Sequence, residues 1–338
     1  MCHLAKRSIW TLLSWLLAFS TVNAADIAVS ETDDEIRIET QFLKAAIRKV
    51  GYVSGVARES LVDKNTGFHD AGFGLDIADW IMEPGSDISY RKQLDPKLIY
   101  RFGNAYHGQR AKRSIEGPQI CTQAKRLNPR IIRGHRFVAI EQSFRYRTSA
   151  PGRKTGSTWT QRLVFPDDTR YFISMDRIDA VNDSDAMFLR LDLPGHIRHQ
   201  QGDTFQQVYL SYQGLIPASA FQSAFAPDER FNYRRDQNPQ PTRFIRAYQL
   251  RNRQTGQTGP WLAGMTLDPA VVHEAWCHQR GYVCMIEEIG GRPIKAGQSF
   301  SAAFIVGYFD DIPQMNRVYD RYRDTTRLEV DSTGWKLH

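Results

Sequence analysis

Apolar and polar positions along this chain change over at short intervals. Runs rich in aromatic and β-branched residues are divided again and again by Gly, Pro, Asn and Asp. Residues 36–40 alternate, and 53–62 read as a strand closed by the turn Lys64-Asn65-Thr66-Gly67. Strands are predicted at 137–147, 158–165 and 171–181, the last two split by Pro166-Asp167-Asp168. Asn182-Asp183-Ser184-Asp185 is a turn by composition. In 187–193, Phe188, Arg190 and Asp192 fall on one side and Leu189, Leu191 and Leu193 on the other, the period of two that marks a strand with unlike faces. Further strands are expected at 207–212, 244–250, 261–267, 282–287 and 300–308. Helical spacing is rare. Met315, Val318, Tyr319 and Tyr322 carry it over 312–322. Asp268-Pro269 reads as a cap and first-turn proline opening a short helix to residue 275. Many short strands divided by turns predict an all-β sandwich or barrel with few short helices.

The first residues have a different pattern. Lys6 and Arg7 precede an apolar run over 9–19, and Val22-Asn23-Ala24 offers small residues for cleavage. That layout predicts a signal peptide over 1–24 and a mature chain from Ala25. The run is well short of the ~20 residues that span a bilayer. The expectation is therefore a periplasmic or secreted protein with no membrane association after cleavage. No linker, repeat or low-complexity tract divides 25–338, so these residues are expected to form a single domain.

Charge narrows the partner. The net charge is +7, and loss of Lys6 and Arg7 leaves +5. A basic chain with scattered arginines suits an acidic partner such as a uronate polymer. An ordinary solvated basic surface would read the same way. No nucleic-acid-binding fingerprint is present, so no nucleic-acid partner is expected. There is no G-x-S-x-G elbow, glycine-rich nucleotide loop or H-E-x-x-H. The Cys and His spacing matches no zinc site, and no cofactor is expected. Calcium between Asp192 and Asp203 is the one ion left open, on spacing that matches no known loop.

Cys121, Cys277 and Cys284 remain after cleavage. With Arg280-Gly281 as the centre of a tight hairpin, Gln279 faces Tyr282, His278 faces Val283 and Cys277 faces Cys284. Directly opposite residues can come within disulfide range, and an oxidising compartment allows the bond. A helix reaching residue 275 would leave little of the first strand. Two buried thiols are the alternative.

Residues 281–308, GYVCMIEEIGGRPIKAGQSFSAAFIVGY, resemble part of the galactose mutarotase-like superfamily. In mutarotases a V-C-L-E strand carries the catalytic glutamate, then a proline, a Pro-Gly-Glu turn and a closing strand follow. Here Val283-Cys284-Met285-Ile286-Glu287 has one residue more before the acid, and Ala296-Gly297-Gln298 stands at the turn. Residues 182–199, NDSDAMFLRLDLPGHIRH, are similar to the turn, strand and histidine in the middle of that fold. The resemblance covers about a sixth of the chain. It implies a large two-layer antiparallel β-sandwich and a carbohydrate ligand. The extra residue leaves open whether Glu287 or Glu288 faces the cleft, because a one-residue shift turns a strand side chain to the other face.

Two chemistries follow from that expectation. Sugar epimerisation needs an acid and a base, and the resemblance implies His196 or His199 as the acid and Glu287 as the base. A polysaccharide lyase must neutralise a uronate carboxylate, remove the C5 proton and protonate the leaving oxygen. His107, Arg113, His196, His199, Tyr209 and Tyr212 supply suitable groups. The loop-rich stretch 195–238 holds several of them. Arg113, Glu116 and Gln119 could line a cleft, and Trp276 with His278 and Arg280 could form a sugar platform. Trp159 and Trp261 are assigned to the core. β-Elimination on an acidic glycan is the leading expectation, with an aldose 1-epimerase-like activity second and a non-catalytic glycan binder third.

Overall fold

The computed structural model describes residues 27–100, 111–199, 204–227 and 229–338. Two large antiparallel sheets dominate. One has nine strands in the order Arg130–Gly134, Phe137–Arg145, Thr158–Pro166, Tyr171–Asp179, Ser299–Phe309, Thr258–Thr266, Phe244–Arg251, Phe205–Leu210 and Gly214–Pro217. The other has eight. Thr148–Ser149, Lys112–Gly117, Gly72–Pro84, Ser184–Arg198, Tyr282–Ile294, Val272–Gln279 and Tyr233–Arg234 run in that order, with Val56–Ala57 paired to Gly72–Pro84. A smaller sheet at the start of the described chain includes Glu35–Glu39 and Leu43–Arg48. The fold is all-β and built as a sandwich.

Alternation decides which residues the sandwich encloses. Phe172, Phe304 and Val306 from the nine-stranded sheet share one buried cluster with Leu189, Leu191, Leu193 and Met285 from the eight-stranded sheet. Their neighbours Ile173, Ala303 and Ile305 point the other way and pack under Met315 and Tyr319 of the helix Ile312–Tyr322. Asp311 caps that helix by accepting from the Gln314 N–H at 2.6 Å, with proline in the first turn. The outer face of the nine-stranded sheet is thus covered. The outer face of the eight-stranded sheet carries Arg190, Asp192, Trp276, His278, Cys284 and Ile286, and it is where the main hollow lies.

Two expectations about residues 268–284 are corrected. Asp268 does cap, accepting from Ala270 N at 2.8 Å, but only a single 3-10 turn over Pro269–Val271 follows, and Val272–Gln279 is a strand. The hairpin pairs Gln279 with Val283 and His278 with Cys284, and it sets Cys277 opposite Met285. Three residues therefore sit between the paired strand ends, not two. Cys277 faces the sandwich core and Cys284 faces the hollow, so no disulfide joins them, and both are free thiols.

Candidate functional site

Three rows of side chains cross the strands of the eight-stranded sheet on its outer face. The first is Arg190, Glu288 and Glu274. The second is Ile77, Asp192, Ile286 and Trp276. The third is His196, Cys284 and His278. Arg190 of the first row and all of the second and third border a hollow of about 740 Å³, together with Asp79, Gln119 and Cys121. Tyr52, Phe73, Arg48, Arg58, Arg280 and Tyr282 form much of its remaining wall.

A bulge makes the central contact. Asp192 sits opposite Ile286 and His196 opposite Cys284. Four steps along one strand thus match two along its partner, so the surplus residues are taken up at 193–195. Two strand residues span only ~7 Å, and the fold-back leaves His196 Nε2 3.0 Å from Asp192 Oδ1. Gly195 is required there. Its φ is +156°, and a Cβ would lie 2.0 Å from the Gly74 carbonyl oxygen.

The charge states in the hollow diverge. Burial opposes protonation of His196, but the Asp192 carboxylate outweighs it and holds the imidazole well above its ordinary value. Burial and the positive charge of His196 together push His278 down to about 3. Burial and the Asp192 carboxylate raise Asp79 to about 7. Asp79 Oδ1 accepts from Gln119 Nε2 and lies 3.8 Å from Cys121 Sγ. The hollow therefore holds a charged imidazole, a neutral imidazole and a carboxyl that titrates near neutrality, a separation typical of acid and base partners.

A buried ion network supports this floor. Lys112 Nζ lies 2.8 Å from both Glu274 Oε2 and Glu288 Oε2, and Arg190 Nη2 is 2.5 Å from Glu288 Oε1. Arg190 also donates to the Tyr100 hydroxyl. Burial would raise Glu288, but Lys112 and Arg190 hold it at about 2. Lys112 Nζ and Arg190 Cζ stand 4.7 and 5.1 Å from the Trp276 ring centroid. The Trp276 indole N–H is buried and has no hydrogen-bond partner among the described residues. A buried indole donor usually finds an acceptor, so a polar ligand atom fits there.

The structure brings His196, Trp276, His278 and Arg280 to this hollow. Gln119 also lines it, as expected, while the other expected residues that the structure describes lie elsewhere. Glu287 is fully buried between the sheets, where Arg246 Nη2 and Thr266 Oγ1 donate to it at 3.0 and 2.6 Å. Burial outweighs Arg246 and raises its pKa. Glu288 lies on the hollow's side of the sheet but, enclosed by Lys112 and Arg190, does not line the hollow. His199 is stacked on Phe205 with centroids 4.0 Å apart. Tyr212 stacks on Phe244 at 5.3 Å, and Tyr209 packs on the outer face of the nine-stranded sheet. Arg113 pairs with Glu83 at 2.6 Å. Glu116 is buried and accepts from the Gly156 and Ser157 N–H groups. His107 and Asp203 lie outside the described residues. Trp159 and Trp261 are buried. Among the described residues, no group of three or more His, Cys, Asp or Glu is arranged to hold a metal, and no helix is long and apolar enough to cross a membrane.

Sequence reasoning did not single out Asp79, Arg48, Arg58 or Tyr52. Asp76 and Asp79 stand within an otherwise apolar stretch of the strand Gly72–Pro84. A carboxylate in such a run is costly to bury, and that was the available signal for Asp79.

No family model matches the chain, and no curated protein matches it in sequence. Solved structures are similar in outline. The galactose 1-epimerase of Lactobacillus acidophilus NCFM has a TM-score of 0.40 at 7% identity, over 84% of this chain and 98% of that one. A galactose mutarotase related enzyme from Lactobacillus acidophilus gives 0.34 and 14%, over 81% and 97%. A GH36 alpha-galactosidase of Geobacillus stearothermophilus gives 0.45 and 11%, over 89% of this chain and 44% of that one. Likenesses of this size carry no chemistry, which rests on the side chains of the hollow.

Proposed function

We propose that this chain is an exported carbohydrate-active enzyme that cleaves a uronate-containing glycan by β-elimination in the hollow around His196. The observation that carries this is the His196–Asp192 ion pair sharing a hollow with Asp79. Export rests on the N-terminal sequence, and N-terminal sequencing of protein recovered outside the cytoplasm should begin at Ala25. Recovery of uncleaved cytoplasmic protein would overturn that part.

Arg48 and Arg58 line the hollow, are exposed, and form no ion pair with a described residue. They take the sugar carboxylate and so ease loss of the C5 proton. Asp79, ionised, removes that proton. The C5–H electron pair becomes the C4–C5 double bond, the C4–O bond breaks, and His196 gives its proton to the departing oxygen. Asp79 then returns its proton to solvent and His196 regains one. Nothing is oxidised and no water is consumed.

Absorbance of the new double bond over a panel of uronate polymers tests the reading. His196→Asn should lower the rate by about 10²–10⁴ with the circular dichroism unchanged. A flat trace on every polymer from folded wild-type protein would count against it, and saturable binding without turnover would indicate a binder.

A second reading is favoured by one observation, the raised pKa of Asp79 beside a protonated His196. That pair also suits sugar epimerisation, with His196 protonating the ring oxygen and Asp79 taking the anomeric hydroxyl proton. Polarimetry of fresh α-sugars separates the two. Arg48→Ala with Arg58→Ala should abolish elimination and leave mutarotation of a neutral sugar intact.

A further inference from the structure

Two more hollows continue from the one that holds His196. The first, about 500 Å³, shares Phe73, Arg280 and Tyr282 with it. The second, about 410 Å³, shares Arg198 and Arg253 with the first and adds Arg251. Shared lining residues set the three side by side as a track along the surface.

Arginines outnumber acids along the whole track, since the inner hollow already sets Arg48, Arg58 and Arg190 beside its two aspartates. Asp79 and Asp192 lie at the inner end. Beyond Tyr282 the described lining holds four arginines, Arg280, Arg198, Arg253 and Arg251, and one acid, Glu59, which pairs with Arg198 at 2.8 Å. Arg251, Arg253 and Arg280 are exposed. The junction is aromatic. Phe73 meets Tyr282 edge-on with centroids 5.4 Å apart, and the Arg198 guanidinium stands 5.1 Å from the Phe73 ring centroid. A hollow of 740 Å³ is within the size that encloses one compact ligand. The outer two have no use for a single sugar unit.

We infer that the substrate is a chain of several acidic sugar units. One unit occupies the inner hollow, and the anionic groups of the following units lie along the arginines of the track. This deepens the reading given above and rests on it for the acidic sugar. The predicted preference is for length and charge together, since exposed cations attract a polyanion cumulatively and are screened by salt.

The test is equilibrium binding of two-residue and six-residue oligouronides from polygalacturonate, alginate and hyaluronate, with maltohexaose as the neutral control. With the full-length mature protein in low salt, a hexamer should bind about tenfold more tightly than its dimer. The gap should close in high salt and in the double variant Arg251→Ser, Arg253→Ser. Equal binding of dimer and hexamer in all three series would overturn the inference. So would the same gain for maltohexaose, a gap that survives the double variant, or hexamers that do not bind. A length gap without a new double bond removes the lyase and keeps the track. Elimination from dimers with no length gap does the reverse.

Discussion

His196 and His278 flank Cys284 on neighbouring strands, yet their surroundings drive them to opposite charge states. The difference is one carboxylate, since Asp192 pairs with His196 while His278 has His196 itself as a positive neighbour. Activity that needs ionised Asp79 rises as pH climbs through about 7. Activity that needs protonated His196 falls again on the alkaline side, above the ordinary histidine value. The expected profile is a bell. Asp192→Asn removes the charge that raises both groups, so both limbs should move to lower pH. A pH–rate profile of the variant checks this, with an NMR titration of His196 alongside. Limbs that stay in place while the rate falls would mean that Asp192 only holds the strand. The residue scale was partly open to reading. His196, Trp276, His278 and Arg280 were found because imidazole, indole and guanidinium are conspicuous at a turn or in a run. Glu287 was misplaced because its role depends on which face it takes, and that is fixed by pairing with Arg246 across the sandwich.

At the level of elements, alternating runs gave strands close to those observed. The reading of 187–193 lies within Ser184–Arg198, and helix 312–322 coincides with Ile312–Tyr322. Gly72–Pro84 was not anticipated. It is buried on both faces, and its irregular pairing near Ile81 and Met82 breaks the alternation that marks a half-exposed strand. The strand Lys112–Gly117 was not anticipated either, because its charges are matched by distant partners such as Glu274 and Glu288. The cap at Asp268 was read correctly, but a cap fixes where a helix opens and not how far it runs. The bulge at 193–195 leaves no pattern in composition beyond Pro194-Gly195. Gly195→Ala should destabilise the protein by about 2–4 kcal/mol, since the added methyl meets the Gly74 carbonyl. Denaturant unfolding reads the loss. In the fraction still folded, separation of His196 from Asp192 should depress activity further than the population of native protein explains.

Across the whole molecule, the two sheets enclose acids as well as apolar side chains. Asp76 and Asp176 are fully buried between them, with Trp159 Nε1 donating to Asp176 at 2.5 Å. Burial raises Asp76 to about 7, and burial with the Asp76 charge raises Asp176 well above the carboxylate range. Both folded values exceed the unfolded one. The pair's contribution is therefore complete below about pH 4 and lost as pH rises through about 7. Thermal unfolding should show the melting temperature falling from pH 5 to pH 8, and Asp176→Asn should flatten that fall. A variant with an undiminished slope would place the titration elsewhere.

The residues at 193–195 are surplus toward one neighbouring strand only. Toward Tyr282–Ile294, four steps from Asp192 to His196 match two, whereas toward Gly72–Pro84 five steps from Asp192 to Ile197 match five from Ile77 to Gly72. Deleting two residues there would keep each remaining side chain on its face but slide the strand out of step with Gly72–Pro84. The same residues thus keep the sheet in step and bring Asp192 to His196, so a chain without them would lose its proton donor together with part of its fold.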